Sequence, residues 1–354
     1  MTPPTKKPTD AQTLDTNLTV AVTGPTGEVG RSLLAALERS DRVKRVLGMA
    51  RRPFDPDAYG WTKVEYRRGD VLDRPTVDEL VADADVVVHL AFIIFGDREE
   101  TRKVNLEGSR NVFEACVKAG TRRLVYTSSI AAYGFHPDNP EVVTEDVAPR
   151  GTEEFYYSAQ KAELEALFHE LVDGSGIEEY IFRPSIVGGR DAPALINDVV
   201  KRFQLGGRLP LERDLIRVIP GASPVIPEAG TSFQLVHHDD CADALVAAIE
   251  GRGAPGIYNL AGDGVITMTD VSRELGWRTV PLPGLAVKGL VGLVTRLGRL
   301  LPQELAWVNI ARGSVIMDTA KARRELGWRP RHDAAETMRE TIAGAKAAGI
   351  VWSR

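Results

Sequence analysis

Three glycines at fixed spacing follow the first apolar run of the chain and constrain its fold more than any other feature. The segment TVAVTGPTGEVG carries Gly24, Gly27 and Gly30 between a strand pattern and a helix pattern. Glycine permits a tight turn and a close backbone approach, and the free amides at a helix start attract phosphate groups. Strand, turn and helix in this order favour the binding of a dinucleotide pyrophosphate. The candidate contacts are Gly24, Thr26, Gly27, Glu28 and Val29.

Short apolar runs alternate with helical patterns from Leu18 onward. The runs are rich in Val, Ile and Leu, as expected for strands of a parallel sheet that helices cover on both faces. The pattern predicts an α/β, doubly wound domain over residues 18–184, which the segment 231–262 rejoins. Residues 185–230 and 263–354 are expected to form a smaller lobe that shapes the substrate site.

The composition excludes several classes of protein. A formal net charge of -5 argues against a nucleic-acid surface, because phosphate binding needs a basic patch. Cys116 and Cys241 lie far apart in apolar helical patterns, which favours buried thiols in a reducing, cytoplasmic setting. Residues 1–17 are polar and lack the apolar core of a signal peptide or membrane anchor, so we expect them to be disordered.

An amphipathic stretch runs from Leu285 to Leu301. Its leucines fall on one helical face and its basic residues on the other. The stretch is too short and too charged to span a bilayer, so no integral membrane segment is expected. Packing against the core or over the pocket is the preferred interpretation, and contact with a membrane surface is the alternative.

Tyr157 and Lys161 stand four residues apart in the segment YSAQK, which has a helical pattern. This spacing places both side chains on one helix face, where an ammonium can help a phenol to lose its proton. The pair therefore predicts a general acid or base that works near neutral pH.

The segment HHDD at 237–240 combines imidazoles and carboxylates, which are the ligands of many metal sites. Adjacent residues rarely converge on one ion, and Asp239 or Asp240 can cap the helix that begins there. We therefore predict a helix cap and no metal. His89, at the end of an apolar strand, is interpreted as a packed residue.

Taken together, the ordered motifs resemble those of one family. The glycine segment is followed by GD at 69–70, VVHLAF at 87–92, VNLEG at 104–108, YTSSIAAYG at 126–134, YSAQK and FRPSIVGG at 182–189. This series resembles the extended short-chain dehydrogenases/reductases of the epimerase/dehydratase group, over nearly the whole chain after residue 17. The resemblance implies a Rossmann-type doubly wound parallel sheet with a smaller, mostly C-terminal substrate-binding lobe.

The resemblance also implies a set of site residues. Ser129 corresponds to the catalytic hydroxyl, whereas its neighbour Ser128 is expected to cap the turn. Lys161 would hold the nicotinamide ribose in addition to assisting Tyr157. Asn105 would organise the helix and the water behind the site. The other implied cofactor contacts are Asp70 and Val71 at the adenine, Leu90, Ala91 and Phe92 along the phosphates and ribose, and the backbone from Pro184 to Val187 at the nicotinamide.

The end of the second strand bears on the form of the cofactor. An acidic residue there binds the ribose 2′-hydroxyl of NAD, but this chain has Ala50 followed by Arg51 and Arg52. Two cations and no carboxylate favour the 2′-phosphate of NADP, with NAD as the alternative.

The same comparison of motifs limits the types of reaction that we expect the protein to catalyse. Dehydratases of the group carry an acidic residue directly after the catalytic hydroxyl, where this chain has Ile130, so dehydration is disfavoured. Pro184 and Ser185 replace an Asn that commonly meets a sugar nucleotide. We therefore predict an NADP-dependent oxidoreductase for a small-molecule secondary alcohol or ketone. The resemblance to the family also implies a homodimer. The alternatives are a nucleotide-sugar epimerase that retains NAD and a non-catalytic NADP-binding regulator.

Overall fold

The structure is a computed structural model that describes residues 15–94, 98–192, 225–228, 230–283, 289 and 314–350. A seven-stranded sheet, with all neighbouring strands parallel, forms its centre. From one edge to the other it comprises β12 (Gly256–Leu260), β7 (Glu178–Pro184), β5 (Arg123–Thr127), β4 (Val86–His89), β1 (Leu18–Thr23), β2 (Val43–Ala50) and β3 (Val64–Arg68). The strand order reverses between β1 and β4, so a crevice opens at the carboxyl ends of these two strands.

Helices cover both faces of this sheet. Successive residues of a strand point to opposite faces, so Val20 and Val22 enter one hydrophobic core while Ala21 enters the other. Helices α1 (Glu28–Arg39) and α6 (His238–Ile249) contribute to the first core. The second core contains α2 (Arg74–Val81), α4 (Gly108–Ala119) and α5 (Tyr156–Val172), and α3 (Arg98–Arg102) leads into α4 through a π-helical turn at Lys103–Glu107. The predicted doubly wound α/β fold is confirmed.

Smaller elements lie around the sheet. Three parallel pairs and one antiparallel pair of short strands are formed by β6 (Val142–Val143) with β15 (Ile316–Met317), β8 (Ile186–Gly188) with β11 (Leu235–His237), β9 (Val225–Glu228) with β14 (Arg278–Pro281), and β10 (Ser232–Phe233) with β13 (Ile266–Thr267). The remaining helices are α7 (Met268–Leu275), α8 (Ala320–Glu325) and α9 (Ala334–Ala347), and 3-10 turns occupy Asp57–Tyr59 and Ile130–Tyr133. A third core joins α7 and α9.

Several predictions concern parts of the chain outside the described residues. They include disorder over most of residues 1–17, the amphipathic helix at 285–301 apart from Gly289, and most of the segment 185–230. The boundaries of the two predicted domains stay predictions. Among the residues described, no helix is both long enough and apolar enough to cross a membrane.

Candidate functional site

The glycine turn lies between β1 and α1 and approaches the end of β4 closely. Gly24 has a φ of +74°, and a Cβ placed on it would lie 2.8 Å from the Ala91 amide nitrogen. A Cβ on Gly30 would lie 2.5 Å from the Gly24 carbonyl oxygen. Helix α1 has no side-chain cap at Gly27, and the positive end of the helix dipole at this N-terminus favours an anion. The turn therefore fits a dinucleotide pyrophosphate, and any side chain at Gly24 or Gly30 would clash with the backbone that forms it.

Arg51 and Arg52 directly follow β2, and both side chains are exposed. Side chains of strand β3 hold the backbone of Arg51 and Arg52 in place. Tyr66 Oη donates to the carbonyls of Ala50, at 2.8 Å, and Arg52, while Arg68 Nε donates to the Arg51 carbonyl at 2.9 Å. Sequence reasoning missed Arg68, although its position at the end of the neighbouring parallel strand was a usable signal. Arg51, Arg52 and Arg68 are all exposed and form a cationic edge at the carboxyl ends of β2 and β3.

His89 is buried at the end of β4, as expected for a packed residue. Its Nδ1 lies 2.7 Å from Thr23 Oγ1, and its Nε2 lies 2.8 Å from Ser109 Oγ. Burial and the neighbouring Lys161 lower the pKa of His89 to about 3, so the imidazole is neutral at physiological pH. His89 thus joins the strand that precedes the glycine turn to helix α4.

Asn105 lies in the π-helical turn and connects two parts of the site. Its Nδ2 donates to the Ile93 carbonyl at 2.9 Å and to Gln160 Oε1 at 2.8 Å, while its Oδ1 accepts from the Ile93 amide. The side chain therefore holds the loop after β4 against helix α5. Gln160, which directly precedes Lys161 in YSAQK, was not singled out from the sequence.

The three predicted catalytic residues meet at the carboxyl edge of the sheet. Tyr157 lies in the first turn of α5, Lys161 follows one turn later, and Ser129 follows β5. The Ser129 hydroxyl lies close enough to the Tyr157 phenol to lower the pKa of that phenol. Lys161 Nζ donates to the Thr127 carbonyl at 3.0 Å and lies 3.9 Å from the centroid of the Phe92 ring. The edge-to-face contact of Phe92 with Tyr157 completes the cluster.

Burial governs the electrostatics of this cluster. It raises the pKa of Tyr157, and the neighbouring Ser129 hydroxyl opposes the rise. This direction is opposite to the one that the Tyr–Lys spacing predicts, because desolvation of the phenol is the larger effect. Burial also lowers the pKa of Lys161 to about 7, against the charge of Glu165. Lys161 consequently changes its charge near neutral pH.

The roles of the two neighbouring serines differ from the prediction. Ser129 Oγ accepts from the Ala131 amide at 3.1 Å and so caps the following turn, which was the role expected for Ser128. Ser128 instead donates to the buried carboxylate of Glu165 at 2.5 Å. The prediction was wrong because Glu165, distant in sequence, offers Ser128 a charged acceptor inside the protein.

The predicted cap of α6 was also wrong. The cap is His237, whose Nδ1 accepts from the Asp239 amide at 3.2 Å, and Asp240 is fully buried against the backbone and imidazole of His332. The fold brings the ligand atoms of His237, His332 and Glu340 within 4.8 Å of one another. His237 already engages both ring nitrogens, the second with Glu340 at 3.3 Å, so hydrogen bonding accounts for this cluster.

Comparison with known proteins gives the family. Residues 20–261 match the model of the NAD dependent epimerase/dehydratase family. The chain belongs to this family. It is therefore an NAD(P)-dependent enzyme, as the resemblance of its motifs predicted.

Two relatives of the protein align with different shares of its length. An uncharacterized protein of Sinorhizobium fredii is 26% identical over 333 residues, which cover 91% of this chain and 77% of the relative. Sterol demethylase protein B of Methylococcus capsulatus is 31% identical over 219 residues, 59% of this chain and 62% of that protein.

Two solved structures show the same fold as this family member. UDP-glucuronic acid 4-epimerase from Bacillus cereus, in complex with NAD, has a TM-score of 0.69 and 20% identity, with 93% of this chain and 99% of that chain covered. A short-chain dehydrogenase/reductase superfamily protein from Agrobacterium tumefaciens, with bound NAD, has a TM-score of 0.68 and 20% identity over 93% and 98% of the two chains.

The other contacts that the family resemblance implied lie along the same edge of the sheet. Asp70 and Val71 follow β3, where Asp70 Oδ1 accepts from the Leu72 amide and Val71 packs against Gly108. Pro184 ends β7, and Val187 lies in β8. Their contact with a cofactor stays a prediction.

Proposed function

We propose that the protein is an NADP-dependent oxidoreductase that interconverts a secondary alcohol and a ketone. The observation that carries the proposal is the meeting of Ser129, Tyr157 and Lys161 beside a glycine turn that fits a pyrophosphate. Bound NAD(P) supplies the hydride donor or acceptor at the nicotinamide C4.

In the proposed reduction, Tyr157 Oη donates its proton to the substrate oxygen as the carbonyl carbon gains hydride. The Ser129 hydroxyl hydrogen-bonds the same oxygen and stabilises its developing negative charge. Protonated Lys161 holds the cofactor ribose and stabilises the phenolate that remains on Tyr157, which then regains a proton from water. In the oxidation each transfer runs in the reverse direction.

The preference for NADP rests on the cationic edge formed by Arg51, Arg52 and Arg68. We expect Arg51→Glu with Arg52→Glu to weaken NADPH binding by at least about tenfold while NADH binding changes little, because only NADPH presents a 2′-phosphate. Arg67→Gln is the matched control, since Arg67 precedes Arg68 on β3 and pairs with Glu79 of α2. Equal loss of both dinucleotides in the double variant would contradict the preference.

An apolar substrate is the favoured class. Phe92 contacts Tyr157, and Ile94, two residues on, is 38% exposed. A relative bears the name sterol demethylase protein B, which agrees with an apolar substrate. The test is the nicotinamide absorbance of the purified protein with NADPH and a panel of ketones that includes 3-ketosteroids and UDP-4-ketosugars.

The second candidate is a nucleotide-sugar epimerase that retains NAD. Its support is that solved structures of this fold carry NAD together with UDP-glucuronic acid or related sugars. An epimerase recycles its cofactor, whereas the proposed oxidoreductase releases it after each turnover. Purified protein that keeps a dinucleotide through dialysis and isomerises a UDP-sugar without an absorbance change would favour this candidate and refute the first. A cofactor-binding regulator without turnover is the third candidate, and conversion of any substrate would exclude it.

A further inference from the structure

A buried ion pair lies directly behind the catalytic cluster. Glu165 and Arg183 have side chains that are 0% and 1% exposed, and their closest oxygen and nitrogen atoms lie 2.5 Å apart. Arg183 Nε also donates to the two carboxylate oxygens, at 3.0 and 3.2 Å. Ser128 donates to Glu165 from the other side at 2.5 Å. The carboxylate is thus held by four hydrogen bonds from two directions.

The pair joins the three segments that carry the site. Ser128 is the neighbour of Ser129, Glu165 follows Lys161 by one turn on α5, and Arg183 directly precedes Pro184 at the end of β7. Farther out, the Arg183 guanidinium lies 4.5 Å from the centroid of the Tyr133 ring. A rotation of any one segment would therefore break a buried charged contact.

Stability alone gives a poor explanation for such a pair. Burying two charges costs several kcal/mol per ion, and well-packed apolar residues of similar volume often serve stability equally well. The position of Lys161 explains the buried pair better. Glu165 lies four residues after Lys161 and therefore on the same face of the helix. The groups that face Lys161 from other elements are the neutral His89 on β4 and Tyr126 on β5, with Tyr157 on its own helix. Among the described residues, the charge that acts on Lys161 is the carboxylate of Glu165.

We propose that Glu165, fixed by Arg183 and Ser128, is a positioning residue that keeps Lys161 charged near neutral pH and holds Ser129 beside Tyr157. The inference rests on the proposed role of Lys161 in hydride transfer. It concerns a property of the lysine that can be measured without substrate, so it can fail or hold independently of the reaction.

The test is an NMR titration of the full-length protein that carries ¹³C at lysine Cε. The Lys161 signal is assigned by its loss in Lys161→Met. In Glu165→Gln we expect the titration midpoint of Lys161 to fall by about one pH unit or more, because the nearby negative charge is removed and Arg183 is left unpaired. Glu163→Gln is the matched control, since Glu163 lies on the same helix and pairs with exposed Arg102. Its Lys161 midpoint should equal that of the wild type.

A second variant covers the case in which Glu165→Gln does not fold. Glu165→Leu combined with Arg183→Met replaces the ion pair by apolar groups and leaves no buried charge. The midpoint of Lys161 should again lie below that of the wild type, by a smaller amount. A midpoint that stays at the wild-type value in the folded double variant would overturn the proposal, whatever substrate the enzyme uses.

Discussion

Replacing Lys161 by Met should stabilise the folded protein while it removes the charge on which the proposed chemistry depends. The Lys161 side chain is 3% exposed, and burial lowers its pKa from 10.5 to about 7. A buried ammonium is costly because it loses its hydration. Met has a similar length and no charge, so it can fill the same space without this cost.

The magnitude follows from the pKa of Lys161. At a pH below 7 the lysine is protonated in both states, and a drop from 10.5 to about 7 costs the folded state roughly 5 kcal/mol. Between about pH 7 and 10.5 the unfolded lysine binds a proton that the folded lysine has released, so this cost falls as the pH rises. The variant also loses the hydrogen bond to the Thr127 carbonyl, worth about 1–2 kcal/mol, and leaves that oxygen without this donor. The expected net gain below pH 7 is about 3 kcal/mol.

Urea unfolding of wild type and Lys161→Met over a series of pH values measures this directly. The difference in the free energy of unfolding should favour the variant, be largest below pH 7, and shrink as the pH rises above 7. Titrating groups distant from Lys161 are common to both proteins and cancel in the difference. A variant that is less stable than wild type below pH 7, or a difference that does not depend on pH, would refute the reasoning.

Two further substitutions test the other parts of the site. Tyr157→Phe should lower kcat by at least about a hundredfold with little change in the Kd of NADPH, because the phenol is the proton donor; Tyr156→Phe is its control, and equal rates for the two variants would contradict the assignment. Gly24→Ala should abolish dinucleotide binding, measured by calorimetry, because its Cβ would lie 2.8 Å from the Ala91 nitrogen. Gly174→Ala is the control, because Gly174 has a similar φ of +76° and no atom within 4 Å of an added Cβ. This variant should bear the same backbone strain, about 1–2 kcal/mol, and still bind the dinucleotide. Unimpaired binding by Gly24→Ala would show that the turn does not hold the cofactor.

Local patterns were sufficient to predict the fold and much of the site. The run TVAVT and the three glycines after it specify a strand, a turn and a helix within one short segment, and the structure has all three. The four-residue spacing of Tyr157 and Lys161 was sufficient to predict that they share one face of a helix, because residues four positions apart lie one above the other on a helix.

Contacts between distant segments were not predictable in this way. Glu165 and Arg183 pair across 18 positions and lie on different elements, so no periodicity links them. Because Glu165 was not foreseen, the cap of the turn was assigned to Ser128 instead of Ser129. The cap of α6 went to His237 because Asp240 is drawn to the backbone near His332, which is 92 positions away. The direction in which the pKa of Tyr157 shifts likewise depends on burial, and the sequence spacing of Tyr157 and Lys161 does not reveal burial.

The central claim is hydride transfer with Tyr157 as the group that exchanges the proton. It is tested most directly by following deuterium from the nicotinamide C4 of labelled NADPH into a ketone that the enzyme reduces. We predict that the released alcohol carries deuterium at its carbinol carbon with wild type, and that Tyr157→Phe binds NADPH but transfers none. Deuterium that remains on a retained dinucleotide while a sugar inverts at one carbon, or transfer that Tyr157→Phe does not slow, would contradict the claim.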